Sequence, residues 1–188
     1  MIGARAYDWI QRAAGRDVNI AHLRAELRIL PGQTVVDVGA GTGTLAGLVP
    51  SQARYIGVDT DADMLRQLRH KHPGRFSVQS DAGRLGLADR SADWTLCVAV
   101  THHLTGDALP RAIAELARIT RGSLVFLDAL QARAWGRGAL LWSLDRGAYP
   151  RTEGDLLAAL EASFTIRRIK RYAVHHRYLL CVGEPRKL

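Results

Sequence analysis

The segment VVDVGAGTGTLA, residues 35–46, constrains the fold more than any other stretch of the chain. A β-branched run passes into Gly39, Gly41 and Gly43 and then into an apolar segment, which predicts a strand, a tight loop and a helix beginning near Thr44. Glycines let the backbone turn sharply and approach a ligand closely, and a helix that starts there presents unpaired N–H groups to it. The spacing is GxGxG. A dinucleotide fingerprint, GxGxxG, wants its third glycine at position 44, which is Thr44, so a nicotinamide cofactor is disfavoured. A P-loop needs Lys followed by Ser or Thr after its last glycine, and the first lysine is Lys71, so nucleoside triphosphate hydrolysis is disfavoured too.

The same unit recurs along the chain. Helices are predicted over residues 4–14 and 19–29, the second with Ile20, Leu23, Leu27 and Leu30 on one face, Asn19 as N-cap and Pro31-Gly32 as its end. Strands are predicted at 34–38, 55–58, 76–79, 94–100 and 123–128, with helices at 62–71 and 109–119 between them. This alternation is the signature of a doubly wound α/β sheet. Residues 131–150 are rich in Gly, Arg and Trp without a clear period and read as a partly helical cover. A helix over 153–163 follows, then two strands, 165–174 and 177–182, close enough to form a hairpin around His175-His176.

At 188 residues and 47% hydrophobic, the chain can build one core and reads as a single domain. It divides into N-terminal helices (1–30), a ligand-binding core (31–130) and an acceptor cover with the terminal hairpin (131–188). No apolar stretch approaches the roughly 20 residues that span a bilayer. The N-terminus lacks an apolar segment followed by a cleavage site, so a cytoplasmic protein is expected. Cys97 and Cys181 lie inside apolar runs without CxxC spacing, which predicts reduced, buried thiols and no metal site. The formal charge is +8, from 26 Lys+Arg against 18 Asp+Glu, and only three of the basic residues are lysines. Of that surplus, +6 falls in residues 131–188, which raises the question of an anionic partner.

Two carboxylates follow the glycine loop at strand ends. Asp59, in YIGVDTDADML, lies 20 residues beyond Gly39, where a carboxylate accepts from both hydroxyls of a ribose. Asp81, in FSVQSDAGRLGL, follows the third strand and is placed to receive the exocyclic amine of an adenine. Three strand ends thus converge on one adenosine-like ligand, outside the carboxyl edge of the sheet where open α/β folds bind. Taken singly, the loop also reads as a tight turn and each aspartate as a helix cap or a solvated strand end.

In order and spacing, VDVGAGTG, VDTDADML, QSDAGRLGLADRSADWTLCVAVTHHL and ITRGSLVFLD resemble the class I S-adenosylmethionine-dependent methyltransferases, in particular their type 11 or UbiE-like small-molecule branch. The resemblance implies a Rossmann-like three-layer sandwich with a seven-stranded, mostly parallel sheet ending in an antiparallel hairpin. It implies S-adenosylmethionine as cofactor, with Asp37, Gly39, Ala40 and Gly41 at its methionine part and Gly43 starting the helix. Asp59 would hold the ribose, Thr60 and Met64 would lie along the adenine, Asp81 would read its amino group and Ala82 would offer an N–H to the ring. Residues 98–101, including Val98 and Thr101, would line the sulfonium end.

Methyl transfer is an in-line displacement, so alignment and exclusion of water come first, and a base is needed only where the acceptor must lose a proton. For a hydroxyl or phenol, His102 or His103 in VAVTHHL occupies the place from which the family addresses the acceptor, with a structural role as the alternative for both. The Asn/Asp-Pro-Pro-aromatic signature of amino-group methylation is absent from AVTHHL, and neither Cys97 nor Cys181 is placed as the nucleophile of cytosine methylation. Trp135, Trp142, Tyr149, Arg133, Arg137, Arg146 and Arg151 lie where the family covers its acceptor and suit a planar or acidic small molecule. The plain alternative is core tryptophans and solvated arginines. His175, His176 and Tyr178 reach the same pocket unless the hairpin turn faces solvent. The leading expectation is therefore methylation of a hydroxyl, phenol or carbon of a quinone, lipid-like or secondary-metabolite acceptor. An RNA acceptor, on the basic C-terminal third, and a non-catalytic cofactor-binding relative are the alternatives.

Overall fold

The computed structural model describes residues 16–131, 149–174 and 176–187. In chain order its elements are α1 (Arg16–Glu26), β1 (Thr34–Val38), β2 (Arg54–Asp59), α2 (Ala62–Lys71), β3 (Phe76–Gln79), β4 (Ala92–Val98), α3 (Ala108–Ile119), β5 (Thr120–Ala129), α4 (Glu153–Glu161), β6 (Phe164–Ala173) and β7 (Arg177–Pro185). The strands form one seven-stranded sheet in the order β3-β2-β1-β4-β5-β7-β6. β1 to β5 run parallel, and β7 pairs antiparallel with both β5 and β6.

Alternation along the strands sorts the core into two layers. Val36, Val38, Cys97, Phe126 and Leu179 turn to the face covered by α3 and α4, through Ile113, Leu116, Leu156 and Leu160. Val35, Tyr55, Leu96, Val125 and Leu180 turn to the other face, under Leu23 of α1 and Leu65 and Leu68 of α2. Strands buried on both faces read as nearly continuous apolar runs, as the central segments of this sequence do. The layers are helix, sheet and helix, as the sequence predicts.

The helix boundaries follow local chemistry. Asp61 caps α2 by accepting from the amides of Asp63 (2.8 Å) and Met64 (3.2 Å). Thr152 and Asp155 form a reciprocal capping box that starts α4. Leu68 of α2 enters a notch on the sheet: a Cβ added at Gly57 would come within 2.6 Å of its Cδ1, and one at Gly43 within 2.8 Å of its Cγ.

Three sequence expectations are corrected. The helix expected from Thr44 is one short 3-10 turn, Ala46–Leu48, because Gly47 weakens it and Pro50 stops it within a few residues. It is therefore too short to present a helix terminus to a ligand. The second N-terminal helix begins at Arg16 rather than 19, which places Asn19 inside α1, where its Oδ1 accepts from the Tyr172 hydroxyl at 2.8 Å instead of capping. β4 ends at Val98 rather than 100, because Ala99 turns the backbone to φ +57°. The expected helix over 4–14 and most of the cover, with Trp135, Trp142, Arg133, Arg137 and Arg146, lie outside the described residues, as does His175. No described helix is long and apolar enough to cross a membrane.

Candidate active site

The carboxyl ends of β1, β2, β3, β4 and β5 share one edge of the sheet, and the order reverses between β1 and β4. That reversal is where a crevice opens in a doubly wound sheet. The antiparallel sense of β7 brings the β6–β7 turn to the same edge, with Ala129 opposite Tyr178 and the turn closed by Val174 N–H donating to His176 O at 3.0 Å.

The glycine loop is fixed from beneath. The amides of Gly39 and Ala40 both donate to the Val58 carbonyl, at 2.8 and 3.0 Å, which bends the chain over the end of β2. Gly39 has φ +76°, and a Cβ there would collide with the Val100 side chain. The loop and the end of β4 therefore touch through this position. Gly39→Ala should lose about 1–2 kcal/mol from the backbone alone, more from the collision, and melt several degrees lower; an unchanged melting temperature would show that the contact yields freely.

Asp37 and Asp59 stand beside the loop in different surroundings. Asp37 is buried and accepts from the Tyr55 hydroxyl at 2.6 Å. Burial pushes its carboxyl up to about 7, the Tyr55 hydrogen bond opposes this, and the Asp59 charge adds to it. Asp59 is half-buried and accepts from Gly41 N–H at 2.8 Å and from Asp61 N–H at 3.0 Å, one bond on each oxygen. A carboxylate has about four acceptor positions, so both oxygens retain capacity for a ligand. Beyond it, Thr60 is exposed and Met64 half-buried, with Gln79 Nε2 donating to Thr60 O at 2.9 Å. Asp81 is exposed, and its Oδ1 accepts from Gly83 N–H at 2.7 Å, an Asx turn that orients the carboxylate. Ala82 packs half-buried on the core.

At the end of β4 the residues expected there meet Asp128 of β5, which was not among the expected site residues. Val98 is half-buried, and the positive φ of Ala99 turns the chain into a 3-10 turn, Thr101–His103. Thr101 and His102 are buried there, whereas His103 is exposed with its ring 4.2 Å from that of His102. Asp128, buried at the end of β5, binds all of this together. Its Oδ1 meets His102 Nδ1 at 2.6 Å and accepts from Ala129 N–H at 2.8 Å, while its Oδ2 accepts from the Thr101 amide (2.8 Å) and hydroxyl (2.5 Å). Burial alone would raise the Asp128 carboxyl, but the His102 hydrogen bond and charge, then Thr101 and the Ala129 amide, hold it below the ordinary carboxylate value. Thr101 is thus a brace for Asp128. An aspartate closing the apolar run SLVFLD is the sequence signal that marked this position.

Asp128 holds Nδ1 of His102, the arrangement by which a carboxylate sets the tautomer and orientation of a base. His102 lines a cavity of about 60 Å³ between the ends of β4 and β5, α1 and the hairpin. Tyr149 is held beside this histidine, its N–H donating to His102 O at 3.0 Å and its side chain exposed. Arg151 donates to Leu104 O (2.5 Å) and Thr105 O (3.1 Å), so it ties the returning chain down. Both thiols are buried; burial first, then the charges of Asp128 and Asp37, push Cys97 far above its ordinary value, and burial pushes Cys181 up to about 12. Neither has the character of a nucleophile.

The methyltransferase domain family of type 11 matches residues 36–126. The chain is 34% identical over 119 residues to malonyl-[acyl-carrier protein] O-methyltransferase of Pectobacterium atrosepticum, a match covering 58% of this chain and 46% of that protein. It is 39% identical over 62 residues to trans-aconitate 2-methyltransferase of Rhodopseudomonas palustris strain BisB5, covering 31% of this chain and 24% of that one. The match thus spans less than half the length of either curated relative. Among solved structures, a TehB-like S-adenosylmethionine-dependent methyltransferase from Corynebacterium glutamicum superposes with a TM-score of 0.68 at 17% identity, over 95% of this chain and 99% of that one. Sheet order, the sequence of strand-end residues and the family match agree: residues 36–126 match a methyltransferase domain, and the chain shares the fold of S-adenosylmethionine-dependent methyltransferases.

Proposed function

We propose that this chain transfers a methyl group from S-adenosylmethionine to a small-molecule acceptor, with His102 as the base wherever the acceptor atom carries a proton. The observation that carries the reading is the His102–Asp128 pair, buried at the strand ends next to the glycine loop. When bound, S-adenosylmethionine supplies a methyl carbon already activated by its sulfonium. The residues present suit that cofactor: carboxylates for hydroxyls and an amine, exposed loop backbone, and a buried acid for a cationic end. Gly39, Ala40 and Gly41 would cradle the methionine part beside Asp37, above Gly43 packed on Leu68. Asp59 would accept from the ribose, Thr60 and Met64 would flank the adenine, and Asp81 with the Ala82 amide would read its edge. Val98 would border the reacting end.

Small acceptors are favoured by two further facts. The relatives are named for a malonyl group on an acyl-carrier protein and for trans-aconitate, both acidic and the second a small molecule. Four arginines of the hairpin face three carboxylates: Arg167 meets Glu184 at 3.1 Å, Arg168 meets Glu26, and Arg171 and Arg177 share Glu153 at 2.6 and 3.7 Å. A stripe partly compensated in this way draws a polyanion less strongly. Incubation with S-adenosylmethionine and a panel of phenols, hydroxy acids and short RNAs, read by mass spectrometry, tests the assignment. A small product heavier by one methylene is expected, and methylation of RNA alone would overturn it.

Asp37 gives this reading a proton signature. A cationic group bound beside it favours its ionised form, so a carboxyl near 7 before binding releases a proton on binding. Affinity should then rise by about tenfold as pH rises through this range, from roughly 6 to 8, as the ionised fraction grows. Calorimetry with S-adenosylhomocysteine in buffers of different ionisation heat should show proton release for wild type and none for Asp37→Asn. Equal release from both proteins would remove Asp37 from the site.

A further inference from the structure

We propose that Tyr55 is a positioning residue for the cofactor: its hydroxyl, donated to Oδ2 of Asp37, holds that carboxyl beside the glycine loop in the charged form that meets a cationic end of the ligand. The inference deepens the methyltransferase reading and rests on it, because the hydroxyl acts only through Asp37 and a ligand bound next to it.

The contact follows from the sheet. β1 and β2 run parallel, with Val35 opposite Tyr55 and Asp37 opposite Gly57. Alternation places all four positions on one face, so Tyr55 lies one step behind Asp37 on the neighbouring strand. Gly57 leaves the space between them open. A Cβ added there would lie 3.3 Å from Tyr55 Cε1 and 3.0 Å from the Ala40 Cβ of the glycine loop, so the tyrosine ring runs forward over the position that has no side chain. Its hydroxyl then reaches Asp37 Oδ2 at 2.6 Å, the length of a charge-assisted hydrogen bond between a hydroxyl and a carboxylate. Arg75 lies over the ring, its guanidinium carbon 5.9 Å from the centroid, and is itself fixed by donating to the carbonyls of Val49, Pro50 and Ala53. The buried ring is thereby held in register with the carboxyl.

The surrounding charges give the hydroxyl its task. Burial favours the neutral form of Asp37, and the charge of Asp59 at the end of β2 favours it further; the Tyr55 hydrogen bond acts against both. Burial and the Asp37 charge push the phenol of Tyr55 far above its ordinary value, so it remains a donor at every pH in question. From β4 comes Cys97, a neutral thiol pushed far up by burial and by Asp128 and Asp37. From the end of α2, Lys71 donates to Thr42 Oγ1 at 3.1 Å and His72 lies against Gly43.

Tyr55→Phe keeps the ring and deletes the hydroxyl, and the carboxyl left behind can take up a proton instead of standing as a bare buried charge. Titration of S-adenosylhomocysteine from about pH 6 to 8.5, for wild type, Tyr55→Phe, Asp37→Asn and the double variant, reads the effect. The rise of affinity with pH, centred near 7 in the wild type, should move up by about one pH unit in Tyr55→Phe. Binding should then be about fivefold weaker near pH 7 and within about twofold of wild type by pH 8.5. In the Asp37→Asn background the loss of the hydroxyl should change affinity by less than about twofold at every pH. Substituting 3-fluorotyrosine, a stronger donor, throughout the wild type should move the rise down instead. A Tyr55→Phe profile equal to wild type, a loss of the same size at every pH, a loss that persists with Asp37→Asn, or a rise unmoved by 3-fluorotyrosine would each overturn the role of Tyr55. No binding to the wild type, or equal pH profiles for wild type and Asp37→Asn, would strike the cofactor reading and this inference with it, so the two failures are distinguishable.

Discussion

Replacing His102 by Ala is expected to slow methylation of a hydroxyl-bearing acceptor by about 10²-fold or more, with little change in cofactor affinity. The ring is buried, its Nδ1 is committed to Asp128, and it lines the cavity at the ends of β4 and β5. Removing it deletes the only proposed proton acceptor while leaving the glycine loop and Asp59 intact. Turnover at saturating cofactor, followed from about pH 5 to 9, separates this from simple alignment. The wild type should lose activity towards acid pH and the variant should not. Equal turnover of both proteins across that range would mean that positioning alone carries the reaction.

Asp128→Ala should have the largest effect on stability. The substitution leaves the Thr101 amide and hydroxyl, the Ala129 amide and the His102 ring without their shared acceptor in a buried site. Breaking a buried, hydrogen-bonded pair from one side costs about 3–5 kcal/mol, and at about 2–4 °C per kcal/mol the melting temperature should fall by roughly 10 °C. Asp128→Asn preserves the packing but donates where an oxygen accepted, so it should lose far more turnover than stability. Thermal unfolding and kcat of the two variants test this together. Loss of stability from Asp128→Ala within about 0.5 kcal/mol would contradict the bracing role, since that is the scale of an ordinary surface substitution.

The two buried acids also act oppositely with pH. The Asp128 carboxyl is held below its ordinary value, so its contribution is present at neutral pH and is lost as pH falls through the lowered value. The Asp37 carboxyl is raised from 3.8 to about 7, so its contribution is fully present below 3.8 and declines as pH rises towards 7.

Legibility followed the range of the interactions. α2 and β3 are read to the residue, because Asp61 caps one and Pro73-Gly74 separates them, all within a few positions. The strand-end positions of Gly39, Asp59 and Asp81 are legible for the same reason: each lies at or within two residues of the end of a short strand. The helix expected after Gly43 fails on a local conflict, since apolar periodicity there competes with Gly47 and Pro50 and loses. Other features depend on partners that no local pattern shows. Asn19 has the composition of a cap, yet its partner is Tyr172, 153 residues away. Asp128 looks like a strand-end residue until the sheet sets it against His102, 26 positions upstream. The cavity needs α1, β5 and β7 side by side, so the convergence of Arg16 and His176 on His102 emerges only in three dimensions.

Calorimetric titration of S-adenosylhomocysteine into wild type and Asp59→Ala tests the central claim most directly. The wild type should bind one equivalent saturably, and Asp59→Ala should bind about 1–3 kcal/mol more weakly through lost hydrogen bonds to a charged group. No detectable heat from the wild type at millimolar ligand would contradict the cofactor site outright, and equal affinities would refute the ribose role of Asp59.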